Sequence, residues 1–582
     1  MHRSILAAGA AAAALLTCGA ASAQQHDLIV RGGTVYDGSG GQPFVGDVAV
    51  DGDRISYVGP HADGTAKTVI DARGQAVSPG FINMLSWSVE SLMIDGKSQS
   101  ELRQGVTLEV FGEGDSMGPL NDKMKALGEQ RQGDFKYKID WTSLDDYLTK
   151  LEKAGIAPNV ASFVGATTVR EYVLGEDDID PTPAQLAQMR ALVKKAMEDG
   201  AMGVGSSMIY APASYAETPE LVALMQEAGK CGGMYITHMR SEGDRLLEAV
   251  DETIRIARES GAPAEMYHMK QSGRDNWGKL DDVIAKVEAA RADGVRITAD
   301  MYTYTAGGTG LDAAMPTWVQ SGGLEKWIEN LKNPETRAKV IAEMKVAHPK
   351  DWENLGQAAG PDGMLFADFK NPKLRIYLGK TLTEVAKMRG TSPEDTIVDL
   401  VIEDGSRVGT IYFLMNEKNV ARQTALPWVS FGSDAESSAP EGVFLKSSTH
   451  PRAYGNFARF LGKYVRDEHT TTLQDAVRKL AALPADNLGL ADRGRLKVGA
   501  YADVVVFDPK TIADHATFEK PMQYATGVNY VVVNGQLALK DGVPTGAHSG
   551  RVVRGRGWTG APGGGCKASA KDWTWTWNKP AG

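Results

Sequence analysis

The chain has 582 residues, 42% of them hydrophobic, and a formal net charge of −10. That length exceeds one average domain and supplies enough apolar side chains for a large core. The acidic balance, spread without long blocks of one sign, excludes a nucleic-acid footprint, which needs clustered Lys and Arg to displace counterions from phosphates.

The N-terminus reads as an export signal spanning residues 1–23. Met1 to Arg3 gives a short basic start, and SILAAGAAAAALLTCG is an apolar run too short for a typical transmembrane helix. Ala21-Ser22-Ala23 then offers a small-residue cleavage site, so the mature chain starts near Gln24 in a periplasm or beyond. A lipoprotein anchor at Cys18 is the weaker reading, because Thr17 fits poorly before it. The mature chain keeps only Cys231 and Cys566, which allows one disulfide without requiring it. No later stretch has the length and apolarity of a membrane span.

Residues 24–79 alternate short β-type runs with turns, as in DLIVRGGTVYDGSG and GDVAVDGDRISYVG. The same texture returns over 486–557 in ADVVVFDP and VNYVVVNGQLALKDG. One small β-sandwich domain built from both chain ends is expected. Between them, over 80–485, strand-like runs alternate with helix-like stretches such as PAQLAQMRALVKKAMEDG, whose apolar residues recur every three or four positions. The strand-like runs are GFINMLSW, VTLEVFG, NVASFVGA, AMGVGSSM, GMYITHM, AEMYHMK, VRITADMY and WVSFGSD. Eight strands alternating with helices predict a (β/α)8 barrel, an α/β fold with its active site where the strands' C-terminal ends open into loops. The last two strands are separated by an excursion over about 303–427, long enough to act as a lid. The tail over 558–582 is Gly-rich and then Trp-alternating, and its pattern would suit an edge strand.

The chemistry-bearing residues fall at the strand ends. His238 closes the fifth run, with Arg240, Ser241 and Glu242 in the loop beyond. His268 closes the sixth and precedes Lys270, Asp434 closes the eighth, and Glu113 and Asp115 follow the second. Singly, such residues are commonly a structural histidine, a helix cap or a turn. Two histidines at successive strand ends, with carboxylates at two more, supply the N and O ligands that suit Zn²⁺ with an open position. The same set would also accept Co²⁺, Ni²⁺ or Mn²⁺.

From Asp27 to Gly542 the chain resembles amidohydrolases of the D-aminoacylase (N-acyl-D-amino-acid deacylase) type. The segments that carry the resemblance include GVTLEVFGEG, SSMIYAPASYAETPEL, ITHMRSEGDRLLEAV, YHMKQSG, ADMYTYTAGGTGL, WVSFGSDA and HPRAYGNFARFLGKYV, closed by LKVGAYADVVVFDP. The resemblance implies that His238 and His268 hold the tighter metal and that Asp434 serves as general base and then acid. It also implies that Lys270, Tyr302 and Arg452 grip the substrate's carboxylate, a role that suits the planar fork of a guanidinium. A serine that assists carboxylate binding in relatives is replaced by Gly308, which bears on the exact substrate.

Two departures concern the metal. The resemblance implies a His-x-His at the end of the first strand, part of a second and weaker site, but Leu85 and Trp87 stand there. The thiolate that relatives use after the second strand is absent, and Glu113-Gly114-Asp115 takes its place. The expectation is a single Zn²⁺ held by Glu113, His238 and His268 with water as fourth ligand, Asp115 being the fallback for Glu113. Trp87 would make its side of the pocket apolar and face the substrate there. The implied activity is zinc-assisted hydrolysis of an N-acyl (D-) amino acid or a similar amide bearing a carboxylate, by water with Asp434 as base. The alternatives are an exported dipeptidase or an amidase for cyclic or foreign amides, and a binding protein descended from such an enzyme. The partner expected is a small molecule, and a homo-oligomer is allowed.

Overall fold

The computed structural model describes residues 25–575, so the export signal read at 1–23 lies outside the described residues. Strands Gln25–Val35, Phe44–Asp51, Arg54–Gly59, Thr65–Asp71 and Ala76–Pro79 share one nine-stranded sheet with Val504–Phe507, Val528–Val533, Gln536–Lys540 and Val543–Pro544. The two chain ends meet where Ala76–Pro79 pairs antiparallel with Val504–Phe507. Alternate residues of these strands, among them Val30, Val48, Ile70, Val77, Val504 and Val532, form one apolar layer.

The central region is an α/β barrel. Its eight parallel strands are Phe81–Asn83, Val106–Phe111, Asn159–Ser162 continuing as Val164–Gly165, Gly203–Ser207, Met234–His238, Ala264–Met266, Ile297–Met301 and Val429–Phe431. The third run is shared between neighbours: its first part pairs with the second strand and its second part with the fourth. The first strand meets the eighth where the Met84 N–H donates to Phe431 O (3.1 Å). All eight expected strands are therefore present, and their carboxyl ends open on one side.

Local chemistry explains the helices between them. In helix Pro183–Glu198 the side chains of Thr182 and Gln185 cap each other's backbone N–H, and Pro183 opens the first turn. Met189, Val193, Ala196 and Met197, on one stripe of that helix, are buried against the sheet. The excursion between the seventh and eighth strands folds around its own sheet, Ala306–Thr309, Gly409–Phe413 and Met364–Asp368, with an apolar cluster that includes Trp327, Phe366 and Tyr412.

Cys231 and Cys566 form a disulfide. The tail departs from its pattern: as far as residue 575 it adds no strand. Instead the Lys567 N–H and the Trp573 indole both donate to Lys230 O, at 2.6 and 2.9 Å, and fasten the tail beside Cys231. Among the described residues no helix is long and apolar enough to cross a membrane.

Candidate metal centre and active site

The second barrel strand ends in Gly112-Glu113-Gly114, and both glycines adopt positive φ (108° and 77°). A Cβ at Gly112 would lie 2.6 Å from Phe163 O and one at Gly114 would lie 2.0 Å from Ser207 Oγ, so only glycine lets the chain turn here. The turn aims Glu113 into the mouth of the barrel. There its Oε1 lies 3.1 Å from His238 Nδ1 and 2.9 Å from His268 Nε2. One donor atom from each of the three buried residues falls within 4.8 Å of the others. Two imidazole nitrogens and a carboxylate oxygen, converging from three separate strands, fit a Zn²⁺-type ion. Asp115, the fallback ligand, stands apart: it is exposed and faces the cavity beyond.

His268 and Asp434 both have positive φ, 32° and 49°, a backbone state that side-chain-bearing residues adopt at a cost. Each is held by its neighbours: the His268 N–H donates to Asp300 Oδ1 (2.7 Å), and the Asp434 N–H donates to Leu85 O (2.9 Å). The result is that both side chains turn toward the same space.

Behind the two imidazoles lies Glu242, a residue that strand-end reasoning leaves as part of a loop. Its Oε1 is 3.0 Å from His268 Nδ1 and 2.7 Å from Lys270 Nζ, and its Oε2 is 3.6 Å from His238 Nε2. His268 Nδ1 also lies 2.6 Å from Lys270 Nζ, so Glu242 and Lys270 together hold the ring with Nε2 toward the Glu113 side, where a metal would sit. His238 Nε2 has no hydrogen-bond partner. Burial and the Lys270 ammonium oppose protonation of His268, but Glu242 and Glu113 outweigh them and raise its pKa to about 10. Burial pushes the Glu113 carboxyl up, and the two histidines more than reverse this, holding it well below the usual carboxylate range.

Asp434 pairs with Arg452 (Oδ2 to Nη1, 2.9 Å). Burial raises the Asp434 pKa, and the Arg452 charge offsets only part of that rise. Arg452 lies 4.4 Å from the Tyr302 ring centre and Lys270 Nζ lies 5.5 Å from it. The Tyr302 hydroxyl and Arg452 Nε are buried without a hydrogen-bond partner. Burial pushes the Tyr302 phenol up to about 12, so it remains a donor at neutral pH. A Cβ at Gly308 would sit 3.4 Å from Arg452 Nη2, which places the serine-to-glycine departure beside this guanidinium. Trp87 adds polar contacts to the apolar face expected of it. Its half-exposed ring borders the cavity, but its indole N–H donates to Asp434 Oδ1 (3.0 Å) and to Glu113 Oε2 (3.2 Å) instead of forming a purely apolar wall.

All of these groups line one cavity of about 860 Å³ at the carboxyl ends of the strands. The sequence pattern described as "Amidohydrolase family" matches residues 68–538. The chain belongs to the amidohydrolase family. It is an enzyme of that family, and among its relatives is D-aminoacylase of Alcaligenes xylosoxydans xylosoxydans, 33% identical over 534 residues, covering 91% of this chain and 98% of the relative. A solved D-aminoacylase, described as having a binuclear metal centre with one-metal activation and second-metal attenuation, superposes with a TM-score of 0.73 at 32% identity, covering 90% of this chain and 99% of that one. The N-acyl-D-glutamate deacylase of Bordetella bronchiseptica, solved with zinc and a phosphonate mimic of the reaction's tetrahedral intermediate, also gives 0.73, at 28% identity over 91% of this chain and 100% of that one.

Proposed function

We propose that this amidohydrolase removes the acyl group from N-acyl-D-amino acids with one Zn²⁺ held by Glu113, His238 and His268. The observation that carries the substrate class is the pair of buried donors without partners, the Tyr302 hydroxyl and Arg452 Nε, beside the Lys270 ammonium. Buried donors left unmade cost about 1–3 kcal/mol each, so they call for an acceptor that arrives with the ligand. A planar α-carboxylate meets that need, and the acidic carboxylates around it reject the same anion elsewhere in the cavity.

When bound, the ion supplies a Lewis acid that polarises an amide carbonyl and acidifies water. The protein's own groups do the rest. Arg452, Tyr302 and Lys270 fix the carboxylate and so decide which hand of the substrate turns its acyl group toward the histidines. Asp434 takes a proton from the attacking water and returns it to the leaving nitrogen. Glu242 and Lys270 hold the His268 ring with Nε2 turned toward the ligand set. Export is part of this reading and is supported by the Cys231–Cys566 disulfide, a bond that persists in oxidising compartments.

The test is a panel of N-acetyl-D- and N-acetyl-L-amino acids beside dipeptides, assayed with zinc-loaded enzyme. Turnover of D-compounds that is lost when the carboxylate is amidated is expected. No turnover of any N-acyl-D-amino acid would overturn the assignment.

A further inference from the structure

The indole of Trp87 sits between two carboxylates that come from opposite ends of the barrel's strand order. Its N–H reaches Glu113 Oε2 at 3.2 Å and Asp434 Oδ1 at 3.0 Å. Neither contact is accidental to a mobile side chain. The Trp87 N–H of the backbone donates to Ala435 O (3.0 Å), the Asp434 N–H donates to Leu85 O (2.9 Å), and Ser86 bridges to Ala435, so the two strand-end loops are laced together. The ring therefore projects from a fixed base across the mouth of the barrel.

The division of oxygens gives this contact its meaning. Glu113 turns Oε1 to the two histidines and Oε2 to Trp87. Asp434 turns Oδ1 to Trp87 and Oδ2 to Arg452. One neutral donor thus occupies the inner oxygen of each carboxylate and leaves each with one oxygen for its other partner. Without a donor between them, two buried carboxylates would repel each other and rotate apart.

We propose that Trp87 is a positioning residue whose indole N–H restricts Glu113 to ligation through a single oxygen and sets Asp434 at a fixed distance from the metal centre. The N–H does the work of a cation at that point without carrying a charge. This inference rests on the proposed hydrolysis only through the role of Asp434. The part that concerns Glu113 stands on metal binding alone.

The test uses the full-length enzyme and Trp87→Phe, which keeps the ring and deletes the N–H. The probe is Zn²⁺ in competition with a chelator, with circular dichroism to verify folding. Metal affinity is expected to fall by about 10-fold or more, as for other groups that orient a metal ligand. A fall in kcat with little change in KM is expected alongside. Affinity within twofold of wild type would overturn the inference. A second measurement needs no variant at position 87. In ¹⁵N-tryptophan-labelled enzyme, the indole resonance that shifts in Asp434→Asn should also shift when Zn²⁺ is removed and restored, and indifference to Zn²⁺ would overturn the inference equally. Should wild-type enzyme turn over no N-acyl-amino acid while the affinity loss holds, the proposed substrate falls and the positioning role stands.

Discussion

Glu109 and Glu113 leave the same barrel strand four residues apart, and both are buried, at 0% and 4% exposure. Their surroundings give them opposite characters. Glu109 accepts from Ser86 Oγ (2.7 Å) and Ser98 Oγ (2.5 Å), all neutral partners, and burial leaves its pKa raised. Glu113 meets two imidazoles, and its pKa is lowered although burial opposes this. Depth in the barrel therefore does not make a carboxylate a ligand. Convergent groups that can bear positive charge, or a metal in their place, do.

The largest way to sharpen this contrast is to remove the charged member. Glu113→Ala and His238→Ala are expected to lose bound metal to background by elemental analysis, and turnover with it, whereas Glu109→Gln keeps both. Next is Asp434→Asn, which should retain the metal while turnover falls by about 10²–10⁴-fold, the range for a removed general base. Metal lost together with turnover would instead make Asp434 a ligand.

A smaller effect is expected at the carboxylate subsite. Tyr302→Phe removes one donor and should raise KM by roughly 10-fold, about 1.4 kcal/mol, the scale of one hydrogen bond to a charged group. Arg452→Gln should do more, and it should also move the acid limb of kcat/KM. Burial already raises Asp434, and Arg452 is the strongest influence pulling it back down. Without that guanidinium the raised pKa climbs further, the base stays protonated to a higher pH, and the acid limb shifts toward neutrality. A limb that stays in place would show that Asp434 is not the titrating group.

Much of this site is legible in the sequence alone. Five of the eight apolar runs end within one residue of a barrel strand's end, because a run bounded by glycines and polar residues marks the point at which a strand leaves the sheet, and the first, sixth and eighth continue three or four residues past it. At or within three residues of a strand's end, His238, His268, Asp434 and Glu113 were legible as strand-end residues. Three features were not. Glu242 follows His238 by four residues, and only the fold of the loop brings its carboxylate back behind both rings. The Trp87 contact to Asp434 spans 347 positions, and an aromatic in a pattern announces its apolar face, not the donor at its edge. The tail's alternating tryptophans suggested a strand, but as far as residue 575 the disulfide to Cys231 and two bonds to Lys230 O fasten the described part without one. Periodicity reports which way an element faces its own sheet. It carries no information about a partner several hundred residues away.

The smallest expected effect concerns Glu109 itself and separates burial from function most cleanly. With its pKa raised above the value of 4.5 that it regains on unfolding, the folded protein binds a proton that the unfolded chain has released over the interval between the two. Stability from this group therefore falls as pH rises through that interval, the reverse of a paired carboxylate such as Glu113. Glu109→Gln keeps the size and the acceptor oxygen and abolishes the titration. Urea midpoints of wild type and variant should be close at pH 5, and the variant should gain relative to wild type toward pH 8. A constant difference across that range would mean that Glu109 is already ionised in the fold, with the serines at 86 and 98 sufficient to hold its charge.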